Sequence, residues 1–253
     1  MTLDTFRIGF LPLVDAGLPI LARELGFASA QGIELELVRD TSWATVRDRL
    51  IYGHSDAAHL LAPLTIATTL GLDRPPVAIT VPFVLGLNGN AVTLARSLAA
   101  EICAEGELLD SVTSGRRMAD LIRSRAAAGA KLRLGVVHRY SSHNYMLQYW
   151  LRGSGVDVAR DLEIVTISPP FAADALAAGE IDGICVGEPW NAQLVNQGIG
   201  FTALTTGELW HDHPEKTFAM RGDWVEKNPV AARALTAAVI EAQRWCDNPA
   251  NTA

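Results

Sequence analysis

The reading of residues 181–193, IDGICVGEPWNAQ, decides the fold. Ile184, Cys185 and Val186 make a short apolar run of the kind that fills a buried strand. Gly187 breaks the run, and Glu188-Pro189-Trp190 opens a helix, where proline is tolerated in the first turn because its missing N–H has no partner to lose. The expected unit is strand, tight turn and helix, with the helix N-terminus beside the strand's carboxyl end. Open α/β sheets bind small ligands at that place, and unpaired N–H groups there suit an anion. The same pattern also serves as a plain connection, so the rest of the chain has to decide between them.

Composition narrows the field. A chain of 253 residues accommodates one large domain or two α/β lobes, and either can bury a sizeable core. Nearly half the residues are apolar, few are aromatic, and the formal charge is −7. That charge argues against nucleic acid as a direct partner, which requires a basic face, but not against a small anion, which responds to local groups. Cys103, Cys185 and Cys246 are far apart and form no C-x-x-C pair, so neither a disulfide frame nor a zinc site is expected. The start, MTLDTFRIGFLP, has no basic region followed by a long apolar one, which predicts a cytoplasmic protein, or a periplasmic one if a leader has been removed. The most apolar later stretch, residues 57–72, is interrupted by His59, Pro63 and several threonines, so no membrane span is expected.

Taken in order, residues 6–11 (FRIGFL) read as a strand, residues 18–27 as a helix ended by Gly26, and residues 33–37 alternate as a half-buried strand does. Asp40, Thr41 or Ser42 caps a helix carrying Trp43, Val46 and Leu50. Gly53 ends it, a short strand opens at Asp56, and Pro63 begins another helix. A strand follows over residues 77–85. Asn88-Gly89-Asn90 is a turn signal, taken as the crossing between lobes. Helices are expected over residues 98–103 and 118–128, strands over 132–137 and 201–204, and a last helix from Pro229 to Cys246. The chain also starts over. Ile8-Gly9-Phe10 returns as Leu134-Gly135-Val136 (134 − 8 = 126), and Gly53-x-x-Asp56 returns as Gly179-x-x-Asp182 at the same interval. This implies two α/β lobes of similar wiring.

No nucleotide fingerprint, Walker lysine or nucleophile elbow is present. His211-x-His213 is the one close histidine pair, and His59 and His138 read as strand-end residues with local partners. Neither a metal, a cofactor nor an enzyme is expected. What remains is a set of isolated polar groups at the ends of strands and helices: Trp43, Asn90, His143, the Gly187 turn and Lys216. Each has an ordinary explanation, respectively as core, turn residue, helix cap, connection and solvated charge. Together they fit a pocket for a small anion, with donors, an aromatic wall and a cation but no nucleophile.

The segments IGFLPLVDAGLPILARELGF, TSWATVRDRL, LNGNAVTL, SSHNYMLQYWLRGSG, GEIDGICVGEPWNAQ and HPEKTFAMRGDWVEKNP carry a further signal. In this order, over essentially the whole chain, they resemble the nitrate-binding proteins of the NrtA/NasS type, within the wider class of two-lobed solute-binding proteins. The resemblance implies an α/β, periplasmic-binding-protein-like fold of type II with the ligand in the cleft between lobes. Lobe 1 would comprise residues 1–89 and 201–253, lobe 2 residues 90–200, and a hinge would close the lobes on the ligand. It implies nitrate or nitrite as ligand, held by Trp43, Asn90 (where relatives often have glutamine), His143, Gly187 and Lys216. In the similar bicarbonate-binding branch an acidic residue replaces that lysine and accompanies calcium, so Lys216 implies an anion held without metal. Two roles follow by analogy. One is a cytoplasmic nitrate sensor that holds a NasT-type antiterminator protein when empty. The other is the substrate-binding component of an ABC importer, with a transporter permease as partner, for nitrate or a related small solute (bicarbonate, a sulfonate or a thiamine precursor).

Overall fold

The computed structural model describes residues 3–103 and 110–251. Its strands are β1 (Asp4–Phe10), β2 (Ile33–Arg39), β3 (Ala57–Leu61), β4 (Ile79–Leu87), β5 (Asn90–Ala95), β6 (Arg133–Val136), β7 (Glu163–Thr166), β8 (Gly183–Gly187), β9 (Gly200–Thr205) and β10 (Pro214–Arg221). They form two sheets of five, ordered β2-β1-β3-β10-β4 and β7-β6-β8-β5-β9. The chain divides into two compact units, residues 1–86 with 215–253, and residues 87–214.

The two sheets are wired alike. Each has a parallel trio, β2-β1-β3 or β7-β6-β8, continued by a strand that runs antiparallel to the trio, β10 or β5. The repeated Gly-x-x-Asp does the same physical task in both. Gly53 and Gly179 sit at positive φ (+75° and +68°), where a side chain would be strained, and so turn the chain out of a helix. The aspartate that follows accepts a backbone N–H from the first strand of its trio. Asp56 takes that of Arg7 at 2.8 Å, and Asp182 that of Arg133 at 2.7 Å. Arg7 and Arg133 are themselves 126 residues apart (133 − 7), so the sequence repeat is a structural one.

Several expected elements form with shifted ends. Gly26, at φ +76°, does stop the helix Gly17–Glu24, but a second short helix, Phe27–Ala30, follows it. The helix expected over 118–128 begins earlier, as Ser111–Ala127, because Asp110 accepts the N–H groups of Val112 and Thr113 as its N-cap.

The larger difference concerns the second crossing. The sequence reading puts residues 201–204 in the first lobe, but β9 pairs with β5 in the second sheet, and Leu204 and Ala203 are buried in the second unit's core with Phe201 against it. Without β9, β5 would be an edge strand. Gly200 makes the pairing close: a Cβ there would stand 2.7 Å from Thr93 Cγ2. The core of the first unit gathers Ile8, Leu35, Phe218, Met220 and the inner face of the helix Pro229–Asp247 (Leu235, Ala238, Val239, Ala242). Among the described residues, no helix is long and apolar enough to cross a membrane.

Candidate ligand-binding site

In the first unit the polar groups gather where β1 and β3 end and β10 begins, the carboxyl end of the parallel strands. Ser42 caps the helix Trp43–Ile51, its hydroxyl accepting the Thr45 N–H at 3.1 Å, and this places Trp43 as the first helical residue. Trp43 is fully buried. Its Nε1–H has no hydrogen-bond partner among the described residues. A buried donor in that condition costs about 1–3 kcal/mol, and a ligand that accepts from it recovers the loss.

Lys216 is a buried strand residue, not a solvated loop charge. It pairs with Leu61 across the β3–β10 ladder, and His59 pairs with Phe218, so His59 and Lys216 are diagonal neighbours on one face. The ammonium Nζ lies 5.3 Å from the centre of the Trp43 ring. It donates to Glu215 at 2.7 Å and is paired with Asp15 at 3.2 Å. Burial alone would lower the Lys216 pKa, but Asp15 and Glu215 outweigh it and raise it, so the charge is held. Burial would likewise raise the Asp15 pKa. Lys216 and then His59 instead hold its carboxyl well below the usual carboxylate range. Sequence reading named Trp43 and Lys216, and the fold brings them together. It missed Asp15 and Glu215, and with them the fact that the cation already has two carboxylates on it. The available signal was Asp15 immediately after a strand end, and Glu215 beside Lys216.

In the second unit Asn90 opens β5 and Gly187 closes β8, and the two face each other in the ladder. The Glu188 N–H donates to the Gly89 carbonyl at 3.0 Å. That makes Asn90–Gly187 a non-hydrogen-bonded pair, the kind whose side chains stand closest and whose N–H groups point away from each other. Gly187 contributes no side chain, which leaves the Asn90 amide without a cross-strand neighbour on its face. The amide is buried, and neither its nitrogen nor its oxygen has a hydrogen-bond partner among the described residues. Thr206 steadies the backbone beneath it, donating to the Asn90 carbonyl at 3.1 Å and accepting from His213 Nε2 at 2.9 Å. Asn90 is therefore a strand residue rather than a turn residue.

His143 is fully buried in the first turn of the helix Ser142–Gly153. It is not the cap, since Ser141 accepts the Asn144 N–H at 3.1 Å. The helix after Gly187 runs only from Trp190 to Asn196, with Pro189 as its N-cap behind a cis Glu188–Pro189 peptide. One of the amides of its first turn is already taken. The Glu188 carboxylate accepts the Ala192 N–H at 3.1 Å, and the Pro189 carbonyl accepts that of Gln193. Asn191 ties this helix to the sheet, accepting from Thr93 at 2.8 Å and donating to the Val186 carbonyl at 2.7 Å. Among the described residues, no group of three or more His, Cys, Asp or Glu side chains is placed to hold a metal.

Comparison with known proteins bears on what these donors serve. The nitrate/nitrite binding protein NrtA of Nostoc sp. strain PCC 7120 is 39% identical over 250 residues, which are 97% of this chain and 54% of that protein. The nitrate import ATP-binding protein NrtC of Synechocystis sp. strain PCC 6803 is 34% identical over 244 residues, 95% of this chain and 35% of that one. Among solved structures, the periplasmic nitrate-binding protein NrtA of Synechocystis PCC 6803 superposes with a TM-score of 0.88 at 34% identity, over 98% of this chain and 63% of that chain. The chain thus spans about half the length of the curated nitrate/nitrite-binding relative. The fold is α/β, two-lobed and periplasmic-binding-protein-like. The NMT1-like family model matches residues 2–253, and on that match, which runs along essentially the whole chain, the protein belongs to the NMT1-like family.

Proposed function

We propose that this chain binds nitrate or nitrite without chemical turnover, as the substrate-binding part of an ABC-type importer. The observation that carries the reading is the pair of buried side chains, Trp43 and Asn90, whose polar atoms find no hydrogen-bond partner among the described residues. Nitrate and nitrite are small planar anions that accept hydrogen bonds through their oxygens. They suit an indole N–H, an amide NH2, a buried cation at Lys216 and a histidine at His143. On this reading the candidate contacts are Trp43 and Lys216 in the first unit, and Asn90, Gly187 opposite it and His143 in the second, each unit taken by itself. Neither a metal nor a cofactor enters this reading, because Lys216 provides the positive charge.

The importer role is preferred to the sensor role expected from the sequence. The relatives are named as nitrate/nitrite-binding, nitrate import, bicarbonate transport and bicarbonate-binding proteins, and none of these names supports a NasT-type antiterminator partner. On this reading the partners are the permease and ATPase of a transporter, and the working location is the periplasm, as stated for the Synechocystis protein, rather than the cytoplasm. The test is isothermal calorimetry with nitrate, nitrite and bicarbonate in chloride-free buffer containing a calcium chelator. Micromolar binding of nitrate is the expected result. Calcium-dependent binding of bicarbonate alone would replace nitrate as the ligand, and no binding of any of the three by the folded chain would remove the anion site.

A further inference from the structure

The first unit contains a second buried ring with a nitrogen that lacks a hydrogen-bond partner among the described residues, and sequence reading does not place it in the site. His59 lies in the middle of β3, fully buried, 5.2 Å from Trp43 between ring centres. Its Nε2 is 2.9 Å from Asp15 Oδ1, while Nδ1 is buried with no hydrogen-bond partner among the described residues. Asp15, ionised beside Lys216, offers only acceptors, so the hydrogen between them belongs to His59 Nε2. That fixes the state of Nδ1. On a neutral ring it is a lone pair, which repels an anion. On a charged ring it is an N–H, which donates to one.

The surroundings supply the rest of the argument. The groups facing His59 are Asp15 from the turn after β1, Lys216 and Phe218 from β10, and the Trp43 ring from the helix Trp43–Ile51. The register partners of β3 on β1, Ile8 and Gly9, carry no charge. Glu215 reaches the cluster through Lys216. Lys216 already donates to Glu215 and pairs with Asp15, so an incoming anion meets a cation that carboxylates have matched.

We propose that His59 is a ligand-binding residue and takes up one proton from water as the anion binds, with Asp15 as the positioning residue that holds the ring and stabilises its charge. This rests on the anion-binding reading above and makes that binding proton-coupled. The negative charge entering the buried cluster is met by one positive charge forming at His59. The Nδ1–H then joins the Trp43 Nε1–H as a second buried donor, on rings whose centres are 5.2 Å apart.

Titrating nitrate into the wild-type chain at about pH 8, in buffers of different ionisation enthalpy, counts the protons taken up. The expected count is close to one, and affinity should fall about tenfold per pH unit where the free ring is neutral. In His59→Gln the uptake and the pH dependence should disappear, and in His211→Gln, at an exposed histidine outside the site, the uptake should persist. Asp15→Asn, which lacks the charge that stabilises the imidazolium, should also lose the uptake and serves if H59Q does not fold. Nitrate binding with no proton uptake overturns the proposal and leaves the anion-binding reading standing. Uptake that persists in H59Q overturns it in the same way. A folded wild type that binds no nitrate overturns both.

Discussion

Lys216 shows what a single residue can and cannot announce from the sequence. Its type and its place in HPEK suggested a cation for an anion, and it is indeed a buried, held charge. Its two carboxylate neighbours change what a substitution does. Lys216→Glu places a third carboxylate between Asp15 and Glu215, and nitrate binding should be abolished in calorimetry; unchanged affinity would put Lys216 outside the site. Asp15→Asn tests the pair by stability. The folded-state pKa of Asp15 is depressed, so its contribution is present above the unfolded value near pH 4 and is lost as pH falls through the folded one. Lys216 has a raised pKa, so its share is present below about pH 10 and is lost as pH rises through the raised value. Urea unfolding of D15N should therefore show a loss of roughly 1.5–3 kcal/mol at neutral pH that shrinks below about pH 4. A constant deficit from pH 3 to 7 would mean the Asp15 charge is not the cause. Sequence reading gives His59 a strand end and a local partner and passes over Asp15; His59 is instead mid-strand and bonded to Asp15, because the two are 44 residues apart and meet only when β1 and β3 lie side by side.

At the scale of elements, most of the reading was local and held. Ser42 was among the expected caps and is the one used. Strand alternation over residues 33–37 lies within β2, whose Ile33 and Leu35 are buried between exposed glutamates. The repeat was legible as two copies of a glycine and an aspartate, and its cause is the aspartate that clamps the first strand of each trio. Asp56→Ala and Asp182→Ala should each remove a hydrogen bond from a strand N–H and cost about 0.5–1.5 kcal/mol in denaturant unfolding. Equal behaviour of the two is the sign of a true repeat, whereas a cost at one position only would make the similarity accidental. Gly183→Ala probes how closely β8 approaches β5. The new Cβ would stand 2.5 Å from Leu94 Cδ2 and 3.1 Å from the Thr93 carbonyl oxygen, so it should destabilise by about 1–3 kcal/mol in the same experiment. Strand partners were harder to read than strands. FTALT at the start of β9 is as plausible in either sheet, and nothing within five residues says which edge it will cover.

For the molecule as a whole, binding is linked to stability. An anion that binds the folded chain and not the unfolded one stabilises it by about 2.7 kcal/mol at a hundred times its Kd. Nitrate should therefore raise the melting temperature in a concentration-dependent way, to the same extent with and without a chelator. A shift that requires calcium would contradict the reading in which Lys216 replaces a metal.

The sequence by itself determined the class of structure and the local grammar: two α/β repeats, their strands, most helix starts and the residue types of the candidate site. These follow from periodicity, capping and turn chemistry, which act over a few residues. Only the tertiary structure decided that β9 belongs with β5, that Glu188 accepts the Ala192 N–H in the first turn of the helix after Gly187, and that Asp15 links Lys216 to His59. Each of those is a contact whose free energy depends on burial and on which chain segments become neighbours, and neither is written in the spacing of residues along the chain.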